Sequence, residues 1–206
     1  GLTAGVMDSV SVLYGLFPWA ILSVLVVIYL TLAALFRSVV LPLKAVLMNA
    51  MSIFAAYGAL VFIFQDGHFE NLLGFESTGQ IEATIPIVLF FMLFGLSMDY
   101  EIFLLTRIKE SYDQGIDNAR SVALGLERIG RIITSAALIL VLVAASFATG
   151  DVVVVKALGV GVAIAIFIDA TLVRVLLVPA LMRLMGDWNW WMPSLLGRFL
   201  PRWQTP

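Results

Sequence analysis

The chain has 206 residues, of which 62% are hydrophobic and 13% charged, with a formal net charge of −2. Soluble domains carry about 45–50% apolar residues, so this composition excludes an ordinary soluble domain and implies an integral membrane protein. With no cysteine and one histidine, His68, the chain can form no disulfide or thiolate metal site, and a histidine-based metal centre is implausible.

The elements are predicted from apolar runs, since a hydrocarbon core takes roughly 20 apolar residues per helix. Residues 1–16 read as an external pre-membrane segment. The first span, 17–36, carries no charge. The second, 45–64, has Lys44 at its mouth and Asn49 inside. The third, 85–105, carries Asp99 and Glu101. Between 106 and 131 lies a connection in which Asp117 or Asn118 can cap a helix, and Val122, Leu126 and Ile129 recur at helical spacing. It reads as an amphipathic helix on the membrane surface, either a coupling element or a plain linker. The fourth span, 132–148, is short and free of charge, and the fifth, 152–178, is long and carries Lys156, Asp169 and Arg174. The tail, 186–206, has Trp188, Trp190 and Trp191 near Arg183 and Arg198, the composition of an interfacial anchor. The fold class is therefore all-α: a five-helix membrane bundle spanning 17–185.

Charge orients the bundle. Arg37, Lys44, Arg107, Lys109, Arg120, Arg128, Arg131, Arg183, Arg198 and Arg202 all fall on one side of a five-span arrangement. The other side has Lys156 alone, against Asp8, Asp66, Glu70, Glu76, Glu82 and Asp151. The positive-inside rule then places the C-terminus in the cytoplasm and the N-terminus outside. The chain opens at Gly1 without a basic, apolar leader, so it is expected to be a piece of a longer protein whose upstream part crosses the membrane first.

An ionisable side chain inside a span costs at least ~2.5 kcal/mol on insertion scales and marks a functional site by default. Asp99 lies about 9 Å from the end of its span, and Glu101 sits about 200° around the helix from it. Gly95, one turn earlier on the stripe of Asp99, lets a neighbouring helix approach and dehydrate the carboxylate. Glu101 is expected to reach the interface. Ala157, Gly161, Ala165 and Asp169 form a second stripe of small residues ending in a carboxylate. Arg174 stands about 140° from Asp169 on an α-helical wheel, a poor partner in the same helix. Asn49, Ser52, Thr134, Ser135 and Ser146 read as helix-to-helix hydrogen bonds. The sequence contains no phosphate-binding loop, nucleophile elbow or metal motif. It also has no basic, aromatic surface for nucleic acid.

The run Phe94-Gly-Leu-Ser-Met-Asp-Tyr-Glu-Ile-Phe-Leu-Leu-Thr-Arg-Ile108 closely resembles a signature of the MMPL family, "membrane protein large" transporters of the resistance-nodulation-division superfamily. The stretches Phe36-Arg-Ser38 with Pro42-Leu-Lys-Ala45, Val122 to Ile132, Ile168 to Leu181 and Asn189-Trp-Trp191 agree in order. The resemblance implies the last five helices of the second six-helix repeat in a bacterial inner-membrane exporter of lipids or other hydrophobic compounds. Protons would be the coupling ion, with no other cofactor. It implies that Asp99 and Tyr100 are one half of a proton relay; the residues themselves leave Asp169, Glu101, Gly95 and Arg174 open as relay or helix-contact positions. The implied partners are the N-terminal half and external domains of the same protein, membrane lipids and a hydrophobic substrate; oligomerisation stays open. No enzymatic activity is implied.

Two other classes stand beside this one. Asp99 and Asp169 could pair as the dyad of an intramembrane aspartyl protease, with Pro179-Ala-Leu181 as supporting motif, but the surrounding order of residues departs from such enzymes. A non-transporting, sterol-sensing-like scaffold needs no buried carboxylate.

Overall fold

The computed structural model describes residues 2–193, with side chains described from Val10 onward. Arg198 and Arg202 and the rest of the tail beyond residue 193, together with the side chain of Asp8, lie outside the described residues. Every described element is helical. A bilayer core offers no water to backbone N–H and C=O groups, and a helix satisfies them within one segment. Helix α1 covers Leu2–Phe36. Helix α2 covers Val40–Leu60 and ends in a π turn, Val61–Gln65. A short α3, Glu70–Leu73, lies in the connection to α4, Ile85–Asp113. Helix α5 covers Asn118–Ser146 and α6 covers Val153–Ile168, which passes into a nine-residue π segment, Asp169–Leu177, and then into α7, Val178–Met185.

Five helices are long and apolar enough to cross a membrane: 10–36, 40–65, 85–113, 118–149 and 153–190. The five expected spans are present, each longer than its apolar run. The starts of α4 and α5 have local causes. Pro86 stands in the first turn of α4, where its missing N–H is no loss. The Asp117 side chain caps α5 by accepting from Arg120 N at 3.1 Å.

The separate surface helix expected within 106–131 does not exist. Helix α4 runs through Asp113, a turn with Gly115 at φ +85° reverses the chain, and α5 continues unbroken from Asn118 into the fourth span. The amphipathic pattern belongs to one face of a long helix. Gly125 brings this face against α4, where a Cβ would stand 2.5 Å from Ile108 Cγ1.

Helix α6 is central, packing on α2, α4 and α5, while α1 lies outside on α2 and α4. Phe17 of α1 meets Phe90 edge to face at 5.9 Å. Outward-facing Trp19, Val27, Leu30, Phe54, Leu138 and Ile139 stay exposed, as suits a surface whose solvent is lipid. One end of the bundle is basic, carrying Arg37, Lys44 and the α4–α5 turn. The other is acidic, carrying the connection 66–84. Lys156, the cation at the acidic end, is buried and donates to the carbonyls of Leu73 and Gly74, pinning that connection to α6.

Residues 186–191 form a clasp. Trp188 and Trp191 are exposed, but Asn189 is fully buried and donates to the carbonyls of Met182 and Gly186, both at 2.7 Å. Trp190 stacks on Tyr112 at 4.8 Å and donates to Asn118 Oδ1 at 3.1 Å. Ser38 donates to Asn189 O at 2.6 Å, so the α1–α2 turn, α4, α5 and α7 are tied together at the basic end.

Candidate functional site

Three helices bring polar side chains to one place inside the bundle. Ala157, Gly161 and Ala165 are buried on α6. A Cβ at Gly161 would stand 3.0 Å from Leu89 Cδ1 and 3.3 Å from Leu60 Cδ2, so α6 packs closely on α2 and α4 along this stripe. One turn on comes Asp169, where the winding changes from α to π. A π-helix closes i→i+5 bonds, so residue i+5 returns to the face of residue i. Arg174 is five residues after Asp169, and its Nη2 meets Asp169 Oδ2 at 2.6 Å. The sequence expectation that these two are poor partners is thus overturned, because it assumed 3.6 residues per turn.

Around the pair, Ser97 Oγ lies 2.9 Å from Asp169 Oδ2 and 2.5 Å from Asn49 Oδ1. Ser52 donates to Asp169 Oδ1 at 3.4 Å. Arg174 Nη2 also donates to Ser97 O at 3.0 Å. Asn49 Nδ2 is buried without a partner. Asp169 and Arg174 are 7% and 4% exposed, and a buried pair is held only where further hydrogen bonds complete it. Ser97 has one proton and two acceptors, so its hydroxyl is a branch point. Beside these groups is a cavity of about 20 Å³ lined by Asn49, Ser52, Ser97, Tyr100, Asp169 and Arg174, room for one water with several polar partners. Such a set can hold, pass or withhold a proton.

Tyr100 forms one wall of this cavity, with the Arg174 guanidinium 5.3 Å from its ring centroid, a cation–π geometry. Its other side lines a groove of about 480 Å³ between α4 and α5, with Phe103, Arg107, Arg128 and Ile132. Tyr100 therefore separates the polar network from a groove open to the outside of this bundle.

The two carboxylates of α4 are placed opposite to expectation. Asp99 is exposed, and Gly95 has no atom within 4 Å of where a Cβ would stand. No helix among the described residues closes on that stripe. Glu101 is 3% exposed, not interfacial. The 200° between them was legible, but packing on the Met98–Glu101–Leu105 face decides which turns inward. Asp99 lines no part of the Asp169 cavity, so the two form no protease-type dyad. Thr134, Ser135 and Ser146 are exposed, and Thr134 and Ser146 donate to carbonyls of their own helix. Only Asn49 and Ser52 among these polar residues join the network. Ser97, which the sequence reading passed over, is its hub. The signal was its position, three residues before Tyr100 and four before Glu101, on one helix face. Among the described residues no His, Asp and Glu cluster could hold a metal ion.

A family model described as MMPL family matches residues 9–205. The chain belongs to the MMPL family. The MMPL relatives include the "Mycolic acid-containing lipids exporter MmpL11" of Mycolicibacterium smegmatis, 47% identical over 89% of this chain and 19% of that protein. The "Heme uptake protein MmpL11" of Mycobacterium tuberculosis is likewise 47% identical over 89% of this chain and 19% of the relative. The "Trehalose monomycolate exporter MmpL3" of Mycobacterium tuberculosis is 39% identical over 98% of this chain and 21% of that protein. The MMPL chain described here thus spans about a fifth of the length of these relatives. It is an integral membrane segment, and the polar network lies in the helices that match.

Proposed function

We propose that this chain is part of a proton-driven exporter of lipids or other hydrophobic molecules in a bacterial inner membrane. In this reading Asp99 and Tyr100 belong to the proton relay. The observation that carries it is a largely buried network of ionisable, hydroxyl and amide groups, Asp169–Arg174–Ser97–Asn49–Ser52, walled by Tyr100 and followed on the outer face by Asp99. One relative is named as an exporter of mycolic acid-containing lipids and another as a trehalose monomycolate exporter, and we follow these over the haem uptake named for a third. The basic end lies in the cytoplasm by the positive-inside rule. The chain catalyses no covalent step, and protons are its coupling ion.

Asp99, Gly95 and Phe103 form an open stripe on α4, and a carboxylate cannot face hydrocarbon there without cost. The remainder of the same protein covers it, bringing a second set of relay groups against Asp99 and Tyr100. Proton uptake at Asp99 removes a charge from that contact and shifts the balance between two arrangements of the bundles.

The test is Asp99→Asn in the intact protein, with membrane amount and folding verified. Export of a hydrophobic cargo driven by the proton gradient is expected to fall at least tenfold. Undiminished export would take Asp99 out of the relay and favour a scaffold or another carboxylate.

A further inference from the structure

Lys44 on α2 and Glu101 on α4 are 5% and 3% exposed, yet Lys44 Nζ and Glu101 Oε1 have no hydrogen-bonding partner. Buried charges are ordinarily paired, and an unpartnered buried group calls for an explanation. Their position supplies one. The Asn49–Ser97 hydrogen bond fixes the register of α2 against the antiparallel α4. Lys44 is five residues before Asn49 and Glu101 four residues after Ser97, about 7.5 Å and 6 Å toward the same, basic end. The two therefore stand level across the helix contact, one turn below the polar network. They lie within electrostatic reach of each other without touching. The other ionisable groups that reach Glu101 are Arg174 and Asp169 of the π segment after α6.

Beyond this level the interior is closed. Leu41, one turn further on α2, and Leu104, Leu105 and Ile108, one to two turns further on α4, are fully buried. A layer of this kind excludes water until it opens. The pair thus sits between the network and an apolar plug.

We infer that Lys44 and Glu101 form an inner station of the proton path, in which Glu101 receives a proton from the Asp169–Arg174–Ser97 network and holds it behind the leucine layer. This rests on the transporter reading above. A proton carried on water passes to the Glu101 carboxylate, giving the carboxylic acid and neutral water. When the layer opens, release to cytoplasmic water restores the carboxylate, with the Lys44 ammonium as its counter-charge. Lys44 is a positioning residue: it keeps the ionised form of Glu101 accessible in a dry interior.

The test uses everted membrane vesicles of the producing bacterium, which hold the native lipids, with a respiration-driven pH gradient read by a pH-sensitive dye. The protein-dependent proton flow is the difference from vesicles lacking the intact protein. No difference for the unaltered protein overturns the transporter reading itself. If that flow exists, the double variant Lys44→Met/Glu101→Gln separates the roles, because it removes both charges together. A charge-balancing role predicts flow within twofold of the unaltered protein, which overturns the inference. The inner station predicts at least a tenfold loss at normal membrane amount, with part of the flow kept by Glu101→Asp. The unaltered protein supplies a further reading: a hydrophobic carbodiimide, which reacts with protonated carboxyls inside membranes, is expected to label Glu101 on peptide mapping. An unlabelled Glu101 overturns the inference.

Discussion

Arg174 holds Asp169 in place with a single nitrogen, Nη2, which also serves Ser97 O. Removing one member of a buried pair leaves an uncompensated charge and costs roughly 3–5 kcal/mol, whereas removing both is often near neutral. Arg174→Leu is therefore expected to lower the thermal midpoint of the purified protein sharply. Asp169→Leu combined with Arg174→Leu is expected to recover most of that loss, and a double-mutant cycle in detergent measures the coupling. Additive losses would show that the pair is not a unit. The same residues show what the sequence could and could not disclose. Asp169 was legible because Ala157, Gly161 and Ala165 lead to it at spacings of four. Its partner was not, since a change of winding leaves no periodic trace in five residues. Asp99 and Glu101 were legible as opposite faces of one helix. Which face turned inward depended on helices that pattern alone does not order in space.

The hairpins are set by glycine at two crossings, Gly125 between α4 and α5 and Gly159 between α5 and α6. Gly159 lies where a Cβ would come within 2.6 Å of Ala144 O and 2.5 Å of Phe147 Cβ, whereas Gly130 meets nothing within 4 Å. Backbone cannot yield as a side chain can. Gly159→Ala is expected to cost about 1–3 kcal/mol by overpacking the α5–α6 hairpin. Gly130→Ala is expected to be neutral, or to gain up to ~1 kcal/mol of helix propensity. Thermal unfolding of the two variants side by side decides; equal behaviour would mean that α5 and α6 do not meet as described. The five spans themselves were readable from hydropathy, but their lengths were not. The polar turns that extend α4 and α5 are helical because of Asp117, Gly115 and the contact at Gly125.

For the whole molecule, the segregation of charge is a statement about sidedness. Lys156 is consumed inside the bundle, which leaves the acidic end without an exposed cation among its described residues. The chain has no cysteine, so a single cysteine reports cleanly once any cysteine elsewhere in the intact protein is replaced. In whole cells producing the intact protein, Thr78→Cys is expected to react with a membrane-impermeant maleimide. Gln114→Cys is expected to react only after the membrane is opened. The reverse pattern would invert the bundle and move the inner station to the other face.

The change of winding after Ile168 has a consequence for how this chain tolerates change. Thr171 and Leu172 are exposed, so substituting either disturbs little. Deleting either removes no buried contact, yet it takes away the surplus residue on which the wider turn depends, and the remaining helix would wind as α. The guanidinium would then follow the carboxylate by four residues instead of five, which on an α-helix again sets the two one turn apart on the same face. Count and winding are thus matched, five residues in the wide turn or four in the α turn, and the pair tolerates the loss of one outward-facing residue only if the winding changes with it.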